Sequence, residues 1–590
     1  MSLTHRGYKK YLEYIKKMKI EEKSVFFESH SSTDFAGNMF YIAKEISKNE
    51  KYKEFSITVS CKIESIERIR NLITKYGIRA ELVIRETDGY YKKLASSKYL
   101  FTDVGFWQLF QKREGQVCVG TWHGTPLKVL GYSFWEDSYV VANQKRGFLL
   151  SDYLVMPNEY TFEKIYGSYE LDGLLSAKVL YSGYPRNSIF FNAGRRKYVR
   201  KKFLRGRAKT IIAYMPTWRG LVINVEKEGQ ASILQRLLLE IDRSLTDDYI
   251  LWAKLHRLNN AEIDYSEFKH IEPFPSDFET YDALNAADIL VTDYSSVMFD
   301  FANTGKKIIL FCYDKMDYLE NRRCYFSIDD LPFPIVENSK DLIREIKNYE
   351  KYDKKSLLEY IGEDHFESCK NVVEIVLEGT TGCKCQGYEQ SKFKRLIYCQ
   401  DLKIGDTTDS FFGFLNKCNC KTDYITYMDH LFLKNAYKLL QLRGFNKIPM
   451  YMYQGAYAYH TNFERKVGKK IKKSVYKRIP VKRDLITTIN NVSQREYSRF
   501  YYENEFDEFI RFSGLDIESL EWFCVFDNRK TIYIHMDMLD KYLEDEEYRF
   551  FLTMAVSKAD EIHFANEKVY DELNKHGMVI NGKVFIENLY

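Results

Sequence analysis

Glycine and proline are scarce in this sequence, 30 and 10 of 590 residues, which excludes collagen-like and low-complexity disordered architectures. A long apolar run is missing too. None approaches the roughly 18 residues that a spanning helix needs, and Met1 opens onto polar, Lys- and Tyr-rich sequence, so the chain is expected to stay in the cytoplasm. Charge of one sign is also lacking: 88 basic against 83 acidic residues leave a net +5, too little at this length to announce a nucleic-acid partner, and none is expected. The 11 cysteines are scattered, as in a reducing compartment. Two Cys-x-Cys pairs, Cys383/Cys385 and Cys418/Cys420, lack the nearby second pair that tetrahedral zinc requires, so no metal or other cofactor is implied.

What is abundant is aromatic: 47 Tyr and 40 Phe, enough for sizeable cores in the two to four compact units that this length suggests. Short apolar strands at 24–28, 55–60, 80–84, 100–102, 117–121, 153–156 and 179–182 alternate with amphipathic helices, the pattern of parallel βαβ units. A second series follows the basic stretch 195–209, with strands at 210–214, 249–256, 289–292 and 307–311. Two doubly wound Rossmann-like halves with a cleft between them is the GT-B plan. Residues 1–190 are read as the acceptor-side half and 191–378 as the donor half. Residues 379–392, turning to Gly, Thr and Cys, are read as a linker. Residues 393–590 form an additional α/β half-domain that opens with a strand at 395–398 and Gly405-Asp406-Thr407-Thr408. A faint repeat supports this division, since Asp152, Asn158 and Glu159 align without gaps on Asp560, Asn566 and Glu567.

Candidate chemistry gathers at strand ends, where open α/β sheets bind ligands. The strand 117–121 runs into Trp122-His123-Gly124-Thr125-Pro126-Leu127-Lys128, which holds one imidazole able to take a proton from a hydroxyl near neutral pH. A loop histidine that only bonds the backbone is the plainer alternative. Met215-Pro216-Thr217-Trp218-Arg219 and Lys254-Leu255-His256-Arg257 place cations or a histidine at two further strand ends. Thr292-Asp293-Tyr294-Ser295-Ser296 enters an apolar helix and offers hydroxyls and free N–H groups, a phosphate cradle unless Asp293 or Ser295 merely caps the helix.

Taken in order with Asp34-Phe35-Ala36-Gly37-Asn38 and Gly183-Tyr184-Pro185-Arg186-Asn187, these motifs resemble the CDP-glycerol glycerophosphotransferases that prime and polymerise teichoic acids and related surface polymers. The resemblance implies that His123 is a general base on an acceptor hydroxyl, aided by His256 as a second catalytic residue. It implies a donor diphosphate held by Arg219, Thr292, Asp293, Ser295 and Ser296, with Trp122, Gly124, Thr125 and Asn38 shaping the acceptor loop. The partners implied are CDP-glycerol or CDP-ribitol and a lipid-linked polyol-phosphate acceptor. One departure stands out: Arg322-Arg323-Cys324-Tyr325-Phe326 is followed by Ser327, where the family commonly has an acid, and either arginine could reach a phosphate or remain solvated. A sugar-nucleotide glycosyltransferase and a non-catalytic assembly module remain open alternatives, because a fold does not select a reaction.

In the additional unit, Phe463, Val467, Ile471, Val475 and Ile479 recur every fourth position within a crowd of basic residues between 464 and 483. Such a helix can lie on an anionic membrane, which would place the chain peripherally on the inner face of the cell membrane, or pack its stripe on its own domain. The opening of this unit resembles the start of glycosyltransferases fused to some members of the same family, and a docking or acceptor-holding role is expected of it.

Overall fold

The computed structural model describes residues 3–134, 138–204, 209–217, 227–255, 263–348, 352–400, 406–427, 444–447, 461–501 and 504–587. Arg219 and His256 lie outside the described residues, as do Trp218, Arg257 and Gly405.

Three sheets organise the chain. The first contains β1 (Glu21–Glu28), β2 (Ser56–Cys61), β3 (Ala80–Ile84), β4 (Ser97–Thr102), β5 (Val117–Thr121), β6 (Tyr153–Met156) and β7 (Lys178–Tyr181). The second contains β8 (Thr210–Met215), β9 (Tyr249–Ala253), β10 (Ile271–Pro273), β11 (Ile289–Thr292), β12 (Lys307–Phe311) and β13 (Ile335–Val336). After β14 (Lys384–Gln386), the third contains β15 (Arg395–Cys399), β16 (Asp423–Thr426), β17 (Asn446–Lys447), β18 (Glu508–Ser513), β19 (Arg529–Ile534), β20 (Glu561–Phe564) and β21 (Lys583–Ile586).

Central strands of the second sheet are buried along their whole length, as in β11 and β12, because helices cover both faces of a parallel sheet. The spatial orders are β14-β7-β6-β5-β4-β1-β2-β3, then β10-β9-β8-β11-β12-β13, then β17-β16-β15-β18-β19-β20-β21. The first two sheets, with their crossover helices, form the GT-B pair.

The third sheet repeats the order of the first, strand for strand, apart from β14. The sequence repeat falls on matching positions. Asp152 accepts from the Cys118 N–H at 2.7 Å, and Asp560 accepts from the Lys530 N–H at 2.8 Å. Asn158 and Asn566 each cap the next helix through the side chain, from nearly identical extended backbones.

Three local readings change. Within 379–392, residues 384–386 add antiparallel to the edge of β7, pairing Lys384 with Tyr181 and Gln386 with Val179, so that stretch closes a sheet edge. The strand read over 249–256 ends at Ala253. The basic helix spans Asn462–Tyr476 and stops before Arg478, whose φ of 54° is left-handed, so Ile479 is not on it. Its stripe residues Val467, Ile471 and Val475 are buried inside the protein, while Phe463 is exposed at its start. The apolar stripe packs on its own unit.

The first half and the third unit share one apolar core, in which Tyr8, Tyr11, Trp107 and Phe110 belong to the same cluster as Tyr497, Phe500, Tyr501 and Trp522. No helix among the described residues is long and apolar enough to cross a membrane.

Candidate active site

The carboxyl ends of the first two sheets face one another across a cavity of about 600 Å³. Trp122, His123, Gly124, Thr125 and Lys128 line it from the first half, and Thr217, Lys254, Tyr294, Ser295, Ser296 and Arg322 line it from the second.

The His123 loop is built to touch the opposite half. Asn38, near the start of the helix Gly37–Lys48, donates to the Trp122 carbonyl at 3.0 Å and accepts from the Arg186 N–H at 3.2 Å. Trp122 is buried and its ring lies against the imidazole, centroid to centroid 4.1 Å. Gly124 has no side chain for a positional reason: a Cβ there would lie 2.2 Å from the Ser296 hydroxyl. Further along, Val129 N–H donates to the Arg323 carbonyl and Tyr325 N–H to the Leu127 carbonyl, an antiparallel bridge that ties the loop to the second half.

Across the cavity, β11 delivers 292–296. Thr292 is buried and donates to the Met215 carbonyl at 2.7 Å. Asp293 accepts from the Thr217 N–H at 2.8 Å and from its hydroxyl at 2.6 Å. These two residues therefore hold the loop after β8 in place beneath the cavity. Ser296 sits at the start of the short helix Val297–Ala302 without a side-chain capping bond, and Ser295 accepts from the Val297 N–H only at 3.5 Å. Both hydroxyls line the cavity. The arginine pair divides: Arg322 lines the cavity with its guanidinium 4.0 Å from the Phe134 ring centroid, whereas Arg323 donates to the Ser133 carbonyl and is not among the lining residues.

Other residues complete the site without having been singled out from the sequence. Arg186, quoted only within its motif, is buried, donates to the His123 carbonyl at 3.0 Å and pairs with buried Asp300 at 2.8 Å, so the histidine loop is anchored through an ion pair that crosses between halves. Asn187 donates to Asp300 and to Asp364, and burial raises the Asp364 carboxyl to about 7. Glu279 accepts from the Gly37 N–H at 3.0 Å and the Tyr41 hydroxyl at 2.9 Å, and burial likewise raises it to about 7. Lys254 opens onto the cavity, and enclosure by protein lowers its pKa.

The His123 side chain is exposed to the cavity, with protein crowded around its base. That enclosure, the largest influence, lowers its pKa; the negative charge of Asp103 acts against the shift, and His30 and Arg186 add to it. The arrangement thus sets a neutral imidazole, two serine hydroxyls and three cations, Lys128, Lys254 and Arg322, around one polar space. It suits a hydroxyl nucleophile on one side and a diphosphate on the other.

A profile of the family described as CDP-glycerol:poly(glycerophosphate) glycerophosphotransferase matches residues 11–366. The chain is 29% identical over 356 residues to the teichoic acid poly(glycerol phosphate) polymerase of Staphylococcus epidermidis, covering 56% of this chain and 46% of that protein. It is 28% identical over 383 residues to the protein of that same description in Bacillus spizizenii, covering 60% and 92%. The chain therefore spans about half the length of the first relative and most of the second. The solved structure of the wall teichoic acid polymerase TagF superposes with a TM-score of 0.54 at 23% identity, covering 63% of this chain and 94% of that one, a likeness of fold.

Proposed function

This chain belongs to the CDP-glycerol:poly(glycerophosphate) glycerophosphotransferase family, and from that premise we propose that it transfers glycerol phosphate, or a related polyol phosphate, from a CDP-linked donor to a hydroxyl of a polyol-phosphate polymer. His123 takes the proton of the acceptor hydroxyl. The acceptor oxygen forms its bond to the phosphorus that bears the polyol, the bond from that phosphorus to the bridging oxygen breaks, and CMP leaves with the electron pair. Ser295, Ser296, Lys254 and Arg322 hold the diphosphate and the charge that builds on the departing phosphate. Arg219 and His256 join them in this reading.

The observation that carries it is the single cavity onto which His123 and the Ser295/Ser296 pair open from opposite halves. The test is nucleotide release from CDP-glycerol and CDP-ribitol with an oligomeric polyol-phosphate acceptor. CMP should accumulate, and His123→Ala should slow it by about a thousandfold while the fold persists. Release of UDP from a UDP-sugar, with no CMP from either CDP-polyol, would instead select a glycosyltransferase.

The acceptor in this proposal is lipid-linked and met at the inner membrane surface. Support comes from the outward lysines of the helix Asn462–Tyr476, among them Lys466, Lys469, Lys470 and Lys473, with exposed Phe463 beside them. Co-sedimentation with anionic but not neutral vesicles, lost when these four lysines become glutamine, is the expected result.

A further inference from the structure

The third sheet supplies an internal comparison for the site in the first. Thr121 pairs with Val155 as Tyr533 pairs with His563, and Thr102 pairs with Gly120 as Arg511 pairs with Ile532. Two residues past Thr121 stands His123; two residues past Tyr533 stands His535. One residue past Thr102 stands Asp103; one past Arg511 stands Phe512. The two imidazoles therefore occupy the same place in two copies of one topology. Each also meets the same neighbour, since the Asp103 carbonyl faces the His123 ring and the Phe512 carbonyl lies 2.8 Å from His535 Nε2.

What differs is the side chain at the neighbouring strand end and the access it accompanies. His535 is wholly buried, and burial lowers its pKa. His123 opens onto the cavity, and its neighbour is a carboxylate. Asp103 is itself buried and held by the Ser29 hydroxyl at 2.9 Å and the His30 N–H at 2.8 Å, with the His30 ring nitrogen 3.7 Å from the same carboxylate. Those two donors come from the end of β1, where His30, Ser31 and Ser32 all have positive φ, a turn that costs backbone energy at three consecutive residues. In the third sheet Cys399 stands where Ser29 stands, matched through the pairing of Glu28 with Thr102 and of Tyr398 with Arg511.

We propose that Asp103 is a positioning residue for His123, held by Ser29 and the strained turn after β1, and that its carboxylate stabilises the imidazolium formed when His123 accepts the acceptor proton. The proposal rests on the reading of His123 as the base. An imidazole in a walled cleft charges reluctantly, and a carboxylate fixed at the neighbouring strand end offsets that reluctance through its charge without touching substrate. Two other groups work against it, His30 from the end of β1 and Arg186 from the turn after β7, and Lys128, Lys254 and Arg322 line the same cavity. Asp103 is the opposing charge.

The experiment uses the full chain with histidine-selective NMR labelling, His123→Gln serving to assign the signal, alongside CMP release measured against pH. Asp103→Asn should lower the His123 titration midpoint by about one pH unit. It should also cut kcat by about a hundredfold, with KM for the donor nearly unchanged. Ser29→Ala, which leaves the carboxylate present but loosely held, should move both readouts in the same direction by less. An unmoved His123 midpoint in either folded variant overturns the proposal, as does activity lost solely through a raised KM or a lowered Tm. Should the wild type release no CMP, the functional reading fails separately, and the NMR titration still decides whether Asp103 acts on His123.

Discussion

Ser296 offers the most direct residue-scale test of where the donor phosphates sit, because its hydroxyl makes no capping bond to its own helix. Ser296→Ala should raise KM for the CDP-linked donor about tenfold, the loss expected for one hydrogen bond to a charged group, while the thermal midpoint stays in place. A lowered midpoint with unchanged KM would assign the hydroxyl to the fold instead. The pH profile belongs to this scale as well. His123 must be neutral to act as a base, and its folded pKa is lowered by the cleft, so kcat/KM should hold as pH falls through the ordinary imidazole range and collapse only below it. His123 could be read from the sequence because Gly and Pro flank it just beyond a strand. Asp103 and His30 could not: 73 positions separate them, and only the parallel register of β1 and β4 brings them together.

At the level of elements, the loop after β5 closely approaches the residue that opens the helix Val297–Ala302, Gly124 against Ser296. Gly124→Ala would force the two apart, and overpacking of this kind costs about 1–3 kcal/mol. The expected outcome is at least tenfold lower CMP release with a Tm within a few degrees of wild type. Pairing the change with Ser296→Gly, which removes the atoms the new methyl would strike, should restore part of the loop geometry without restoring the serine hydroxyl. Legibility at this scale followed strand length and burial. The apolar runs at 117–121, 153–156, 289–292 and 307–311 were read at the bounds they have, since a strand covered on both faces is apolar throughout, and 80–84 was read at its bounds although it is an edge strand with Glu81 exposed. The two- and three-residue strands β10, β13 and β14 carry too little pattern to be seen, and their existence depends on partners far along the chain. Whether the apolar stripe after 462 met lipid or its own domain could not be settled from periodicity alone, because both surfaces ask for the same spacing.

For the whole molecule, the junction between the first half and the third unit decides how the role of residues 393–590 should be tested. The helix Arg483–Tyr501 places Glu496 in a fully buried position, where it accepts from Arg495 at 2.8 Å, from Arg499 at 2.7 Å and from the Tyr8 hydroxyl at 3.2 Å. Arg499 also donates to the Gln108 carbonyl, so the cluster spans both bodies. Tyr8, Tyr11 and Trp107 complete their packing against this same region. Deleting 390–590 would therefore strip the cover from an aromatic face of the catalytic half, and the truncated protein should aggregate or melt lower even if the third unit has no part in catalysis. Glu496→Gln separates the two effects. It takes from the buried Arg499 guanidinium the carboxylate it pairs with, while half-buried Arg495 keeps Glu464 at 2.8 Å. That change should destabilise the junction by about 3 kcal/mol, and the cavity around His123 keeps every side chain that lines it. If calorimetry shows the third unit melting earlier and CMP release below that transition stays at the wild-type rate, the third unit holds the catalytic half only by packing. A fall in release at temperatures where both bodies remain folded would mean instead that the junction positions something the reaction uses.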